Sequence, residues 1–309
     1  RDVAPSRGLG DVYKRQTYNR GNLIDGTLCA IIERQTRKPD EIVVVNGGGI
    51  NDCHATIVKW QKLFPTLREI KTKNVNLATS RNIGLPQCKG DIILQTDDDA
   101  EPFPNWIERL VDEHQKHPEA GVIGGNVVDA SGEGLIFKIA DATTFTHFNE
   151  EGYCETRTVP GVNSSYKRDT IEKVGAYDTN MFRGEDVDYN WRCIKAGYKV
   201  LSFPDIKVYH HHRATWKGLY NQQYMYGRAY LLVRRKWKDM YCCYPHGIYN
   251  LRDLAKFCYF CIVPFVDQAH KLKHVKGFFN KLIAYPIMVT IGYNWHRGVF
   301  VQYFKELKK

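Results

Sequence analysis

The sequence predicts an α/β fold with a helical C-terminal extension, on three observations. From Thr17 onward, segments with helical apolar spacing alternate with short apolar runs, the rhythm of a doubly wound sheet. The run EIVVV (41–45) holds four consecutive apolar residues, as a strand buried on both faces requires. The run DIILQT (91–96) ends in Asp97, Asp98 and Asp99, which puts charge at the C-terminal edge of a strand, where open α/β sheets bind ligands.

Each element follows from its local pattern. Leu23, Ile24, Leu28, Ile31 and Ile32 recur at helical spacing over 23–37, until Lys38 and Pro39 break the helix before the strand at 41–45. Asp52 can cap a helix running to about Phe64; a strand at 68–72 and a helix at 76–88 precede the strand at 91–96. After Pro104 a helix carries Trp106, Ile107, Leu110 and Val111, and a strand at 121–128 follows. Residues 129–160 are less regular. Helices at 169–174 and about 186–196, then strands at 199–203 and 206–210, complete a domain over 17–215. Residues 216–309 read as a separate helical, aromatic and basic region. Residues 1–16 lack the apolar run of a buried first strand, and GLGDVYKRQ resembles an adapter-derived read-through. The segment is therefore read as non-native or disordered, with the native first strand missing.

Composition narrows the function classes. At 43% hydrophobic and 25% charged, the 309-residue chain is globular rather than disordered. Its net charge of +10 favours an anionic partner: nucleic acid, an acidic membrane surface or a phosphorylated substrate. Nine cysteines without paired zinc-ribbon spacing argue against a disulfide framework and a structural metal, and fit a reducing cytoplasm. Cys258 and Cys261, inside FCYFCIVPF, read as a packed pair rather than a redox motif. No stretch reaches the roughly 18 to 20 uninterrupted apolar residues of a spanning helix.

Two acidic clusters carry the chemistry. Asp97, Asp98 and Asp99 repel one another, and a divalent cation is their natural partner; hard oxygen ligands select Mg²⁺ or Mn²⁺ over zinc. The competing reading is a solvated acidic turn, since Glu101 and Pro102 follow. The second cluster, GEDVD (184–188), opens a helical pattern, where carboxylates also serve as caps. If Asp186 faces the first cluster it can take a proton from an attacking hydroxyl as a general base, with Glu185 holding the acceptor.

The ordered segments TYNR (17–20), EIVVVNGGG (41–49), ATSRNIGL (78–85), ILQTDDDAEP (93–102), GVNSSYKRDTIEKVGAYD (161–178), GEDVD (184–188) and AGYKVLSFPDIKVYH (196–210) resemble family 2 glycosyltransferases over about 195 residues. The resemblance implies a GT-A fold, Rossmann-like, with a mixed sheet flanked by helices. It also implies a nucleotide-diphosphate sugar donor and inversion at the anomeric carbon. Carried over position by position, Thr17, Tyr18, Asn19 and Asn46 line the nucleoside pocket, and Arg81 lies near the nucleotide. Asp97, Asp98 and Asp99 supply the metal and ribose contacts, Gly161 and Asn163 border the acceptor, and Asp186 is the base. His210 matches a position where some relatives place a histidine near the metal; with His211 and His212 it otherwise reads as a surface cluster. Asn46, Gly47, Gly48 and Gly49 stand where the family often has Asp-Asp-Gly-Ser. A carboxylate is therefore absent, although the Asn46 oxygen can still accept a hydrogen bond from a base.

Beyond Trp216, tyrosines and tryptophans interleave with Arg228, Arg234, Arg235, Lys236 and Lys238. The short apolar runs at 257–266 and 282–293, interrupted by prolines and flanked by lysines, suit helices lying in an anionic membrane interface. Packing on the first domain is the alternative, and nucleic acid is disfavoured. The resulting expectation is a cytoplasmic enzyme, peripheral at the inner face of the membrane, glycosylating a glycan or lipid-linked acceptor in bacterial cell-surface polysaccharide synthesis. A non-catalytic scaffold and a sugar-phosphate nucleotidylyltransferase are the alternatives; the early Gly-rich signature of the latter is absent.

Overall fold

The computed structural model describes residues 11–17, 23–144, 152–240, 242 and 249–307. In chain order the elements are β1 (Asp11–Thr17), α1 (Ile24–Ile32), β2 (Glu41–Asn46), α2 (His54–Gln61), β3 (Leu67–Lys71), α3 (Leu77–Gly84), β4 (Ile92–Thr96), β5 (Ala100–Pro102), α4 (Trp106–Lys116), β6 (Ala120–Asp129), α5 (Leu135–Thr144), β7 (Cys154–Glu155), β8 (Ser164–Lys167), α6 (Arg168–Val174), α7 (Glu185–Lys195), β9 (Lys199–His210), α8 (Trp216–Lys236), α9 (Leu251–Tyr259), α10 (Val263–Lys271) and α11 (Phe278–Leu307). They fall into two compact units, residues 1–128 with 146–211 and residues 129–145 with 212–309.

The first unit is built on a mixed sheet with strand order β3-β2-β1-β4-β8-β6-β9-β5, β7 pairing with β9. β1, β2, β3 and β4 pair in parallel, whereas β8 runs antiparallel to both β4 and β6. Every residue of β2 and β4 is buried, the polar Glu41, Asn46, Gln95 and Thr96 together with the apolar runs at 42–45 and 92–94. Val43, Val45, Ile93 and Val122 of the sheet share one core with Ala78 of α3 and with Tyr189 and Cys193 of α7. Asn76 caps α3 by accepting from the Thr79 N–H at 2.9 Å. The two strands expected at 199–203 and 206–210 are one continuous β9.

β1 departs from the sequence expectation. Asp11–Thr17 lies between β2 and β4 and pairs with both, so residues 11–16 belong to the sheet rather than to a segment outside it. A central strand is held by its backbone N–H and C=O groups, and that bonding does not require an apolar sequence.

The second unit has its own core. Ile139, Ala140 and Ala142 of α5 pack with Leu219 of α8 and with Ala284, Met288 and Ile291 of α11. This packing moves residues 129–145 out of the 17–215 domain that the sequence suggests. α8 and α11 touch backbone to backbone: a Cβ on Gly227 would meet the Trp295 carbonyl oxygen at 1.9 Å, and one on Gly298 would meet that of Tyr224 at 2.1 Å. Arg228 of α8 donates to Gln302 of α11 at 3.1 Å. Among the described residues, no helix is long and apolar enough to cross a membrane.

Candidate active site

The end of β4 concentrates three buried carboxylates, those of Asp97, Asp98 and Asp99. Their backbone is fixed on both sides: Thr27 Oγ1 donates to the Asp98 carbonyl at 3.1 Å, and the His211 N–H donates to that of Asp99 at 3.1 Å. Strand register then delivers His210. β5 and β9 pair antiparallel with Ala100 opposite His210, so the imidazole arrives beside the residue preceding Ala100. Its Nε2 stands 3.3 Å from Asp99 Oδ1. One ligand atom from each of Asp97, Asp99 and His210 lies within 4.8 Å of the others, all three residues being buried. Two carboxylate oxygens and an imidazole nitrogen are a fitting donor set for a divalent cation such as Mn²⁺. The grouping is one that could hold a metal ion.

The second cluster is tied to the same strand. Gln95, a polar residue in the otherwise apolar start of β4, donates from Nε2 to the Gly161 carbonyl at 2.6 Å; the Gly161 N–H donates to Asp186 Oδ2 at 3.2 Å. Asp186 is thereby linked through one residue to a strand position two before Asp97. Gly161 has no room for a side chain, since a Cβ there would meet Arg81 Nη2 at 2.6 Å and Asp186 Oδ2 at 3.1 Å. Glu185, Asp186 and Asp188 occupy the first turn of α7, where the helix dipole favours negative charge.

Glu185 has a partner of its own. Arg81 Nη1 is 2.8 Å from Glu185 Oε1, with side-chain exposures of only 1% and 4%. Burial works against the guanidinium charge, but Glu185, Tyr177 and Asp186 together raise the Arg81 pKa above its ordinary value, so the group stays charged. The guanidinium also lies 5.0 Å over the Tyr177 ring. Arg81, expected near the nucleotide, is therefore locked onto Glu185, and Glu185, expected to hold an acceptor, is engaged with Arg81.

Two other expected site residues are held by internal hydrogen bonds. Asn163 is fully buried: it accepts from Trp106 Nε1 at 2.8 Å and donates to the Asn126 and Ile206 carbonyls at 2.9 and 3.0 Å. It joins β6, β8's approach and β9 as framework. Asn46 is engaged at both ends of its amide. Its Oδ1 accepts from the Gly48 N–H at 2.8 Å, while Nδ2 donates to Asp52 and Glu69, each at 2.6 Å. The carboxylates missing from the local motif thus stand beside it, supplied by the α2 approach and by β3. Hydrogen bonds from Asn46 and from the His54 N–H hold the Asp52 carboxyl below its ordinary range. Thr17 pairs through its backbone with Asn46. Its side chain, and Tyr18 and Asn19, lie outside the described residues.

Sequence inspection did not single out Gln95, Asp52 or Glu69 as site residues. Gln95 alone carried a local signal, being an amide inside a strand with no exposed face.

A mixed sheet with a carboxylate and histidine cluster at the end of a central strand defines a GT-A transferase fold, and solved structures agree. Mannosyltransferase PcManGT from Pyrobaculum calidifontis, in complex with GDP-Man and Mn²⁺, superposes with a TM-score of 0.63 at 18% identity, covering 97% of this chain and 89% of that one. GalNAc-T7 with UDP, GalNAc and Mn²⁺ gives a TM-score of 0.54 at 16% identity over 79% of this chain and 53% of that one. Residues 16–175 match glycosyl transferase family 2, and the chain belongs to that family. Among curated relatives, the glucosyl-dolichyl phosphate glucuronosyltransferase of Haloferax volcanii is 32% identical over 157 residues, 49% of this chain and 50% of that protein. The pre-mycofactocin glycosyltransferase of Mycobacterium tuberculosis is 29% identical over 159 residues, 48% of this chain and 33% of that protein. The chain thus matches half or less of the length of these two relatives.

Proposed function

We propose that this chain is a metal-dependent, inverting glycosyltransferase that moves a sugar from a nucleotide-diphosphate donor onto a hydroxyl of a glycan or lipid-linked acceptor. The observation that carries this reading is the grouping of Asp97, Asp99 and His210 at the edge of the sheet. These residues would hold a Mg²⁺ or Mn²⁺ ion, which would supply positive charge against the departing diphosphate. Asp98 contacts the donor ribose, and Asn46 with Asp52 and Glu69 borders the nucleoside.

Asp186 accepts the acceptor hydroxyl proton on Oδ1 or Oδ2. The acceptor oxygen bonds to the anomeric carbon as the bond to the diphosphate oxygen breaks, its electron pair leaving with the nucleoside diphosphate. One displacement inverts the anomeric centre. The Gly161 N–H aims the Asp186 carboxylate, and Arg81 bound to Glu185 keeps the start of α7 in place. Glu185 is in this account a positioning residue.

The relative named for glucosyl-dolichyl phosphate, a lipid-linked sugar, supports a lipid-linked acceptor. The Staphylococcus aureus relative named poly-beta-1,6-N-acetyl-D-glucosamine synthase, 22% identical over 223 residues, supports a role in cell-surface polysaccharide. A peripheral position on the anionic inner face of the cytoplasmic membrane fits both.

The test is to incubate the purified chain with UDP-, GDP- and CDP-sugars in Mn²⁺, in Mg²⁺ and in EDTA. Release of nucleoside diphosphate and the melting temperature with each free nucleoside diphosphate are then measured. Metal-dependent release from one donor class, with a matching stabilisation, is expected. No release and no metal-dependent stabilisation by any nucleotide would overturn the proposal.

A further inference from the structure

The second unit exposes large apolar side chains on α9, α10 and α11. At the start of α11, Ala284, Met288 and Ile291 fill the core, yet the other face of the same helix presents Phe278, Phe279, Leu282 and Ile283 to the outside. The two phenylalanines are each 77% exposed and Leu282 is 65% exposed. A helix apolar on both faces has a second apolar surrounding. α9 and α10 carry the same feature. Leu251, Leu254 and Cys258 of α9 are exposed at positions i, i+3 and i+7, while Phe257 packs inward. In α10, Phe265 and Val266 are exposed while Pro264 and Gln268 are buried.

The exposed faces of α10 and α11 adjoin, and Tyr293 of α11 ties the turn between α9 and α10 by donating to the Cys261 carbonyl. The Phe265 ring stands 5.8 Å from that of Tyr293, edge to face, and Tyr285 donates to the Phe265 carbonyl at 3.3 Å. Tyr285 is in turn one helical turn from Leu282. The resulting patch belongs to the class that marks a partner or a membrane.

Charge decides between them. Residues 249–283 hold six lysines and arginines against two aspartates. Asp267 is paired with Lys271 at 2.9 Å, and Asp253 accepts from the Tyr249 N–H at 3.3 Å. Lys256 on α9 and Lys273 and Lys276 between α10 and α11 are exposed. A second copy of the chain docking symmetrically would bring this basic rim against itself, which is unfavourable. An anionic bilayer meets both the apolar centre and the basic rim, and short helices with tyrosines at the boundary suit its interface.

We infer that α9, α10 and the first turns of α11 form a docking surface for an anionic lipid bilayer, entered by Phe278, Phe279, Leu282 and Phe265, with Lys256, Lys273 and Lys276 on the headgroups. The surface gives the proposed peripheral position its named residues. Because its assay reads lipid rather than sugar transfer, the two stand or fall separately.

The experiment is sedimentation of the full chain with vesicles of phosphatidylcholine, alone or mixed with phosphatidylglycerol, at low and high salt. The wild type binds the mixed vesicles, and salt weakens the binding. F278S/F279S lowers the affinity by about tenfold or more in either salt. K256E/K273E/K276E lowers it by roughly two orders of magnitude and removes the preference for phosphatidylglycerol. I50S, at an exposed position of the first unit, binds as the wild type does. Circular dichroism checks that each variant keeps its helices, and the charge variant leaves the apolar residues in place. The inference is overturned if neither set changes vesicle binding, if the wild type does not bind, or if sedimentation velocity shows a dimer that F278S/F279S dissociates.

Discussion

Asp99 and Glu185 are carboxylates of the same unit, exposed to 8% and 4%, and the chain surrounds them differently. Glu185 meets a permanent cation, the Arg81 guanidinium, at 2.8 Å; Asp99 meets the His210 imidazole at 3.3 Å with two further aspartates preceding it in sequence. A buried ion pair is complete in itself, whereas a group of carboxylates around an imidazole is an oxygen and nitrogen donor set. On the proposed function, the end of β4 takes an external cation and the start of α7 serves internal positioning. Asp186, next to Glu185 but oriented by a backbone N–H, is left to exchange a proton.

The largest effect separates Asp186 from its neighbours. In Asp186→Asn, sugar transfer is expected to fall by about 10³-fold while nucleoside diphosphate binding, read by calorimetry, stays within a factor of about two. Near-normal turnover would remove Asp186 from the role of base. Asp99→Ala should lower turnover by about 10²- to 10³-fold and also abolish the stabilisation that Mn²⁺ and nucleotide give together, a loss the Asp186 variant does not share.

Arg81→Met probes the other side of the comparison. It leaves Glu185 buried without its cation and should lower the unfolding free energy by about 3 kcal/mol in urea titration; adding Glu185→Leu should recover most of that loss. An Arg81→Met protein as stable as the wild type would mean that the pair is not the internal lock described.

A further effect lies outside both clusters. Burial pushes the His114 pKa down to about 3 from an ordinary value of 6.5, and its Nε2 is 2.9 Å from Ser165 Oγ. The unfolded chain therefore binds a proton that the folded one refuses. Stability from this group is complete above pH about 6.5, falls by up to about 1.4 kcal/mol per unit as pH drops below that, and levels off below pH about 3. Denaturation midpoints from pH 7 to pH 4 should fall less steeply in His114→Gln.

The features legible in the sequence were those with a local signature. Three aspartates after an apolar strand are visible without a structure, because a fully buried strand ending in charge has few other uses. Tertiary placement hid the rest. Arg81 and Glu185 are 104 positions apart, and neither local pattern announces the pair. His210 came to the metal side through the resemblance alone, with a surface run as the alternative; the register with Ala100 is what sets it beside Asp99. Asn163 was placed beside the acceptor by the resemblance, which carries no information on the Trp106, Asn126 and Ile206 partners that its amide finds in the fold. Residues 11–16 looked unfit for a sheet because their apolar pattern is weak, and α5 was hidden in an irregular stretch whose apolar residues serve the second core.

The central claim is that Asp97, Asp99 and His210 hold the cation on which donor binding depends. Its most direct test is titration of the full chain with Mn²⁺ followed by electron paramagnetic resonance, with and without the nucleoside diphosphate selected by the donor screen. The account predicts one bound Mn²⁺ whose affinity rises with nucleotide and falls by at least about tenfold in Asp99→Asn. Equal Mn²⁺ binding by the wild type and by Asp99→Asn, with nucleotide present, would contradict it.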